Sequence, residues 1–499
     1  MRAGKRMARY GWLAALAAMA VVTLFRLVVA AWVPLTPDEA YYRLWALAPA
    51  AGYFDHPPMV ALWIRLGMLV AGDTPLGLRM MGPLSAAFGT LLLAHAGALW
   101  LRQPDGRPDW RVGARVALLL NATLAIGLGV IIMTPDTALI FFVTLMLWSL
   151  SWLCAGGPVW LWLVVGLAAG LGCDSKYSML LPVGGMGLWL FGSRAGLLWL
   201  RKPWPWLAGC VSLLCVMPVV LWNAHHAWGG FVRQGGRLLD WQPARALVFL
   251  SELLGGQVGL ASGLVFVLFV GGCVRLWRRR DGFSALLLCT ILCPLAVFLQ
   301  HALGARVQAN WPVVVYPACT LAAGLWYPRW WKSAVWLGGI MTLVVMGQAA
   351  FAPLPLPVRV DVTLRQMGGW SELAHTVQAR AAEGYSGQAP VLMTENYGLA
   401  GELAFYAQNT QVVAVEPRWA LFDIPRPACG QQGQLLRPVQ DKEAPDPHVF
   451  EVLGPASAPV ARARRGMIAE WYVMLPVRLR CQPGEAVVGN AASLPVRRS

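Results

Sequence analysis

Charged residues are scarce in this 499-residue chain: Asp, Glu, Lys and Arg make up 13% of the sequence, where soluble globular proteins have roughly 25%. Together with a mean hydropathy of +0.55, that scarcity argues against an ordinary soluble protein and indicates an integral membrane protein with some soluble mass attached. The sequence also lacks a zinc knuckle, an aromatic RNA-binding signature and a continuous basic helix. The net charge of +16 therefore predicts no nucleic-acid partner.

Long apolar windows are abundant, and windows close to the roughly 20 residues that cross a bilayer predict about eleven transmembrane helices. They begin near Gly11, Pro75, Val112, Thr137, Val159, Tyr177, Leu207, Ala246, Phe283, Pro312 and Ser333. The first window follows the basic start MRAGKRMARY, but it is too long for the apolar part of a signal peptide and has no clear A-x-A cleavage site. We expect an uncleaved first span.

Positive charge alternates between successive loops. With the N-terminus placed inside the cell, the inner loops hold Arg102, Arg107 and Arg111, then Arg194, Arg201 and Lys202, then Arg275 to Arg280, and finally Arg329 and Lys332. Basic loops face the cytoplasm in multi-span proteins. This phase predicts a cytoplasmic N-terminus and places the remaining loops, with everything after the last span, on the outer side.

The chain after the last span differs in composition from the rest. The Pro-rich segment APLPLPV, Ala352 to Val358, is typical of a stiff linker. Beyond it, helix-like and strand-like segments such as GGWSELAHTVQARAAEG and TQVVAV alternate, which predicts a small α/β domain. We therefore divide the chain into a transmembrane domain, residues 1–352, and an outer domain, residues 353–499. The outer domain contains two cysteines, Cys429 and Cys481. Whether they form a disulfide in an oxidising compartment is not decided by the sequence.

Two outer turns share the pattern Thr-Pro-Asp. The stretch PLTPDEAYYRLWALAPAAGYFDHPPMV contains Asp38 and Glu39 after Thr36, and MTPDT contains Asp136. A purely structural interpretation is a helix start, with Thr as the cap, Pro at the first position and acids favouring the dipole. A chemical interpretation is a general base for a hydroxyl nucleophile. A second acid nearby would orient the base or hold the acceptor. Alternatively, Asp38 and Asp136 would together bind a divalent cation through their carboxylate oxygens. The residues alone leave these roles open.

Cations accompany the acids on the predicted outer face. Lys176 in CDSKY lies at the lip of a span, against the charge rule; it either snorkels to the interface or binds an anion. His56 in FDHPP, His226, Arg233 and Arg306 are the further candidates. Such a mixture suits an anionic headgroup and a neutral hydroxyl together. Asn310, before Trp311-Pro312, predicts either a helix start or the wall of a cavity.

Five stretches taken together resemble a known family: TPDEAYYRLWALAPAAGYFDHPPMVALWIRLG, MTPDTALIFF, GLGCDSKYSMLLPVGG, PVVLWNAHHAWGGFVRQGGR and VQANWPVVVYP. In this order, separated by spans, they resemble the membrane glycosyltransferases of the GT-C fold, in the bacterial branch related to protein O-mannosyltransferases and to the aminoarabinose transferase of lipid A. The tail is similar to the family's outer domain at GGWSEL and GELAFY. The resemblance implies a polytopic all-α membrane protein with a small C-terminal α/β periplasmic domain.

The resemblance also implies a reaction. Members of the family transfer a sugar from a polyprenyl-phosphate carrier to an acceptor hydroxyl at the periplasmic face of the inner membrane, with inversion at the anomeric carbon. The acceptor class stays open among a glycolipid such as lipid A or its core, a polysaccharide and a protein, and membrane lipids are expected partners. No cofactor is required, and a divalent cation is left open.

Matching positions give the residue roles that the resemblance implies. Asp38 corresponds to the proposed base, with Glu39 adjacent, and Asp136 corresponds to a second acid. Basic and tyrosine side chains surround the donor phosphate in the family. Here that set is Lys176, His56, Tyr41, Tyr42, Arg233 and Arg306, and the cavity residues are Asp55, His226 and Asn310.

Two departures from the family pattern affect this assignment. His56 stands where the aminoarabinose branch has a lysine before Pro-Pro, so we expect a charge there that depends on pH. Gln308 stands where the family often has an acid, shortly before Asn-Trp-Pro. A transporter or lipid flippase is the alternative class. The absence of an evident internal repeat, and polar residues gathered at one face, argue against it.

Overall fold

The computed structural model describes residues 2–235, 241–279, 281–383, 391–415, 418, 428, 430–480 and 488–490. Contacts divide the chain into two compact units. The first unit comprises Met1–Val28, Asp55–Val60 and Met80–Val344, and the second comprises Val29–Phe54, Ala61–Arg79 and Val345–Ser499. The predicted outer domain therefore shares its unit with part of the first predicted outer loop. Cys429 and Cys481 lie outside the described residues, so their pairing stays open.

Most of the described chain is helical. In chain order the α-helices are α1 (Arg2–Trp32), α2 (Pro37–Leu47), α3 (Met59–Ala71), α4 (Pro75–Arg79), α5 (Met81–Trp100), α6 (Trp110–Asn121), α7 (Leu124–Gly127), α8 (Pro135–Cys154), α9 (Leu161–Cys173), α10 (Leu180–Gly192), α11 (Arg194–Leu200), α12 (Trp204–His225), α13 (Gly229–Gly235), α14 (Pro243–Leu260), α15 (Leu264–Arg278), α16 (Gly282–His301), α17 (Tyr316–Ala323), α18 (Trp331–Phe351), α19 (Val362–Met367), α20 (Trp370–Glu383) and α21 (Tyr397–Tyr406). Two short 3-10 helices, Tyr177–Met179 and Trp311–Val315, precede α10 and α17.

The chain is a multi-pass membrane protein. Among the described residues, six helical segments are long and apolar enough to cross a bilayer: Ala14–Trp32, Pro75–Trp100, Pro135–Cys154, Trp204–His225, Gly282–His301 and Trp331–Phe351. A seventh span results if α14 and α15, which meet at 104°, are one broken span. The expected count of about eleven is therefore not confirmed. Several predicted windows form shorter apolar helices, such as α9 with 13 residues.

Small residues set the helix packing of the first unit. A Cβ added to Gly166 of α9 would lie 2.2 Å from the carbonyl oxygen of Ala208 in α12, and one added to Gly185 of α10 would lie 2.3 Å from that of Cys289 in α16. The hydrophobic effect does not drive helices together in lipid, because lipid tails are as apolar as the side chains. Helices in membranes therefore associate through close packing of their backbones at small residues. This packing fixes the end of α9, where the turn that carries Lys176 begins.

The second unit contains one sheet and the helices beside it. Its strands are β1 (Val391–Thr394), β2 (Gln411–Val415), β3 (Gln432–Pro438), β4 (Phe450–Val452), β5 (Val460–Arg464), β6 (Met467–Leu479) and β7 (Val488–Asn490), in the spatial order β4-β6-β3-β1-β2-β7 with β5 also paired to β6. β1 pairs in parallel with β2 and β3, and the other pairs are antiparallel. This confirms the predicted α/β character of the tail.

Helix α21 lies against α2 inside the second unit, because two of its glycines remove the side chains that would separate them. A Cβ added to Gly398 would lie 2.7 Å from the Cβ of Pro37, and one added to Gly401 would lie 2.8 Å from the backbone of Ala40. The close approach brings the first turn of α21 next to the first turn of α2, which begins at Pro37.

Candidate active site

A buried ion pair forms the centre of the polar residues in the first unit. Asp136 is the second residue of α8, and Lys176 follows the end of α9. Lys176 Nζ donates to both carboxylate oxygens of Asp136, at 2.8 Å and 2.9 Å. Asn310 Nδ2 donates to Oδ2 of the same carboxylate at 2.6 Å. The structure thus brings together three predicted site residues from segments 40 or more positions apart, and the charge of Lys176 is compensated by Asp136.

The loop with FDHPP lies beside this pair. The backbone N–H of Met59 donates to the carbonyl oxygen of Asp174 at 3.0 Å, which ties the loop to the turn before Lys176. Burial and the positive charge of Lys176 lower the pKa of His56 to about 3. This corrects the expectation of a charge that titrates near neutrality: at neutral pH the His56 imidazole is neutral. The charge effect of Lys176 shows that His56 lies near it, and contact of His56 with a donor phosphate stays a prediction.

Asp174 is a further buried acid in this turn, and it was missing from the predicted site. It caps α9 at the C-terminal end. Its Oδ1 atom is buried and has no hydrogen-bond partner among the described residues. Burial raises the pKa of the Asp174 carboxyl to about 7, because the charged form loses its hydration. A carboxyl group that gains or loses a proton near neutral pH therefore lies two residues from Lys176.

The other predicted residues of the first unit are held by contacts of their own. Arg233 Nε lies 3.7 Å from Oδ1 of Asp55, and the next residue, Gln234, donates to the Asp55 carbonyl at 2.5 Å. His226 Nδ1 lies 2.7 Å from the Trp222 carbonyl oxygen. Arg306 Nε lies 2.7 Å from Oε2 of Glu252, on a largely exposed surface.

The two predicted arginines have different ion-pair partners. Arg233 lies close to Asp55, another of the predicted site residues. Arg306 is placed by Glu252, a partner that the sequence did not suggest. Contact of either guanidinium with a donor phosphate stays a prediction.

Asp38 is an exposed acid at the start of α2 in the second unit. The hydroxyl group of Tyr397, the first residue of α21, donates to Asp38 Oδ1 at 3.1 Å. The guanidinium of Arg418 lies 4.1 Å from the centre of the Tyr397 ring. Burial and the negative charge of Asp38 raise the pKa of Tyr397 to about 12. The tyrosine therefore stays protonated and orients a carboxylate that remains accessible.

Glu39, next to Asp38, has a structural role. Its side chain is fully buried, and Arg79 Nε and Nη2 each donate to it at 2.6 Å. Its Oε2 also accepts the backbone N–H of Thr36 at 3.0 Å, completing the capping box of α2. This corrects the prediction of a catalytic Glu39: with both oxygens bound and no exposed surface, it positions the helix start that carries Asp38.

Tyr41 and Tyr42 are buried in an aromatic cluster of the second unit, 1% and 6% exposed. The Tyr41 ring lies 5.0 Å from Trp45 and 4.7 Å from Tyr397, and Tyr42 lies 4.8 Å from Trp45. Trp45 in turn stacks on Tyr53 at 4.2 Å. Packing explains the presence of both tyrosines, and their contact with a donor phosphate stays a prediction.

The sequence analysis left open whether Asp38 and Asp136 bind a divalent cation. The structure does not favour this for Asp136, because both of its carboxylate oxygens accept hydrogen bonds from Lys176 and Asn310. No group of three or more His, Cys, Asp or Glu residues that could hold a metal ion is found in the part of the chain that the structure describes.

Comparisons with known proteins agree with this architecture. The family model described as dolichyl-phosphate-mannose-protein mannosyltransferase matches residues 55–222. The lipid A galacturonosyltransferase RgtD of Rhizobium johnstonii is 26% identical over 384 residues, covering 74% of this chain and 76% of that protein. The crystal structure of ArnT from Cupriavidus metallidurans bound to undecaprenyl phosphate matches with a TM-score of 0.61 at 17% identity, over 93% of this chain and 98% of that one. Its apo form gives 0.62 over 94% and 98%.

The chain has the GT-C fold, and its sequence is similar to those of membrane glycosyltransferases. The resemblance seen in the motifs is therefore confirmed at the level of fold and relationship. The segment matched by the family model contains the loop with His56 and both partners of the Asp136–Lys176 pair.

Three residues that contact or adjoin the predicted site residues could not be assigned a role from the motifs. Arg79, which neutralises Glu39, lies in an apolar stretch with no distinguishing pattern. Tyr397 lies in the tail, more than 350 residues from Asp38. Asp174 was visible in CDSKY, but its burial, which gives it chemical interest, depends on the packing of the helix that precedes it.

Proposed function

We propose that this protein transfers a sugar from a polyprenyl-phosphate donor to an acceptor hydroxyl, with inversion at the anomeric carbon. Asp38 acts as the general base. The observation that carries this assignment is the contrast among the three predicted catalytic acids. Asp38 is exposed and oriented by Tyr397, while Glu39 is buried in an ion pair with Arg79 and Asp136 is bound by Lys176. A general base must reach the proton that it takes, and this is a condition that Asp38 meets.

In the proposed reaction, Asp38 takes the proton of the acceptor hydroxyl as its oxygen forms a bond to the anomeric carbon. The bond between that carbon and the phosphate oxygen breaks, and its electron pair leaves with the polyprenyl phosphate. Positive charge develops at the ring carbon in such transfers, and a carboxylate nearby stabilises it. The base ends protonated, and the phosphate ends with one more negative charge.

Lys176 and His56 are proposed to stabilise that phosphate. Two contacts of Lys176 go to Asp136, and an ammonium group has three donors, so one N–H stays available to an anion. The neutral His56 imidazole supplies a hydrogen bond rather than a charge. Donors fixed before the reaction stabilise developing charge without reorganisation.

The proposed acceptor is a glycolipid, and the proposed location is the periplasmic face of a bacterial inner membrane. Support for the acceptor comes from the similarity to RgtD, which is named for galacturonosyl transfer to lipid A. Support for the face comes from the phase of the basic loops. A reporter that is active only in the periplasm, fused after Ser499, should give signal, and activity of a cytoplasm-only reporter there would contradict the orientation.

Product analysis tests the proposed reaction. The purified protein in proteoliposomes should convert a polyprenyl-phosphate galacturonic acid donor and lipid A into a product heavier by one sugar, identified by mass spectrometry. Hexose and aminopentose donors, and a polysaccharide or peptide acceptor, tested in parallel, define the specificity. Transfer to the polysaccharide or the peptide in place of lipid A would change the proposed acceptor class. The absence of transfer to every acceptor tested would contradict the proposal.

A further inference from the structure

A cavity of about 250 Å³ lies beside the end of the last span. Its lining begins one residue after α18, which ends at Phe351, and includes Ala352 to Pro355, Leu364 and Met467. Two arginines, Arg464 and Arg465, and Asp361 supply its charge. All of these lining residues belong to the second unit. Since α18 is long and apolar enough to cross a membrane, the end of α18 beside the cavity is expected at a bilayer surface.

The turn that carries Arg465 is unusual in composition. It joins β5 to β6, and its two central residues, Arg465 and Gly466, have φ angles of +49° and +78°. Turns of this kind favour Asn and Gly, because most side chains collide with the backbone at positive φ. An arginine at this position is costly for the fold, and a residue held in such a conformation suggests a use for its side chain.

Arg464 is anchored to the end of the span. Its Nη1 donates to the Ala349 carbonyl at 3.2 Å, and its Nη2 donates to Asp361 at 3.2 Å and to Thr363 Oγ1 at 2.8 Å. Its Nε is buried and has no hydrogen-bond partner among the described residues. The guanidinium group therefore lies at the level of the last helical turn of α18, and its Nε–H makes no hydrogen bond to the described residues.

The charges at the cavity do not balance. Asp361 compensates Arg464, but no ion pair of Arg465 is found within the described ranges. Burial lowers the pKa of Arg464, and the positive charge of Arg465 lowers it further, against the opposing effect of Asp361. Two adjacent guanidinium groups with one carboxylate leave a net positive charge, which an anion in the cavity would compensate.

Exposed apolar side chains occur in the same part of the chain. Phe351 and Leu354 are 58% and 50% exposed, Val360 and Val362 are 65% and 54% exposed, and Ile468 next to the turn is 41% exposed. Cations combined with exposed apolar side chains at a span end are typical of a surface that contacts lipid headgroups and the first part of the acyl chains.

We propose that this cavity binds the phosphate of an anionic phospholipid in the leaflet where α18 ends. Arg465 contacts the phosphate, Arg464 supplies its Nε–H, and Phe351 and Leu354 contact the upper part of the acyl chains. Phosphate and guanidinium groups are well matched as hydrogen-bonding partners. This site is separate from the residues proposed for sugar transfer, so its failure in a test would leave that proposal intact.

Native mass spectrometry of the full chain in detergent tests the proposal, with phosphatidylglycerol and phosphatidylcholine titrated in parallel. We expect phosphatidylglycerol to bind more tightly, and Arg465→Asn to weaken it about fivefold, the effect of one basic residue near an anionic surface. Arg465→Lys should retain most of the affinity. Arg480→Asn, which removes an exposed arginine outside the cavity, is the matched control and should leave binding unchanged.

Folding and the source of the anion are tested by two further measurements. Asn is favoured at positive φ, so Arg465→Asn should unfold at the same temperature as the wild type or higher. Inorganic phosphate should not displace the bound phosphatidylglycerol. Equal affinity for both lipids, an unchanged affinity in Arg465→Asn, or displacement of the lipid by free phosphate would each overturn the proposal.

Discussion

Removal of the Lys176–Asp136 pair should separate folding from donor binding. Both side chains are at most 10% exposed, and their contacts are 2.8 Å and 2.9 Å. Breaking a buried pair by removing one partner costs about 3 to 5 kcal/mol, because the other charge is left uncompensated. We expect Lys176→Met and Asp136→Asn each to lower the free energy of unfolding by about that amount. The double variant should cost much less than the sum, since no unpaired charge remains.

The same variants test the phosphate role of Lys176. Unfolding in mixed micelles gives the stability cycle, and titration of the polyprenyl-phosphate sugar gives the affinity. Loss of a hydrogen bond to a charged group should weaken donor binding by about 1.5 to 3 kcal/mol in both variants that lack Lys176. Strictly additive stability effects would refute the buried pair. A double variant that binds the donor as well as the wild type would limit Lys176 to neutralising Asp136, leaving Arg233 and Arg306 as the next candidates.

Three further predictions concern protonation and packing. The pKa of His56 is lowered from 6.5 to about 3, so the unfolded state binds more protons than the folded state between these pH values. The stability of the protein should therefore rise with pH across that window. The melting temperature of His56→Asn should depend less on pH there. The pKa of Asp174 is raised from 3.8 to about 7, so the folded state binds more protons in between and stability should fall as pH rises; Asp174→Asn should raise the melting temperature at about pH 8 and change it little in acid. Gly398→Ala places a Cβ 2.7 Å from Pro37 and should cost about 1 to 3 kcal/mol in chemical unfolding, whereas Gly209→Ala, whose added Cβ meets nothing within 4 Å, should be neutral.

Local patterns in the sequence predict local structure well. Thr36-Pro37 and Thr134-Pro135 start helices as their composition indicates, and the segment TQVVAV contains strand β2 of the tail. Capping and alternation act over a few residues, so one sequence contains the necessary information.

Contacts between distant segments follow from packing and could be predicted only in part. The motifs placed Lys176 and Asp136 on one face, but their direct ion pair depends on the way α8 and α9 pack. For Glu39 the motif predicted a catalytic role. Its buried ion pair with Arg79, 40 residues away in the sequence, gives it a structural role instead. The predicted number of spans is not confirmed, because hydropathy measures apolar length and a window such as that of α9 forms a helix shorter than a bilayer.

The most direct test of the central assignment is the single-turnover rate of Asp38→Asn with the polyprenyl-phosphate donor and the glycolipid acceptor. Thr36 caps α2 and Glu39 completes the capping box, so folding and donor affinity should be unchanged. The substituted amide cannot accept the proton, and loss of a general base lowers the rate about a hundredfold or more. Tyr397→Phe, which removes the hydrogen bond to Asp38, should have a smaller effect. A hundredfold loss at unchanged affinity is the predicted result, and a rate within a few-fold of the wild type would contradict the assignment of Asp38 as the base.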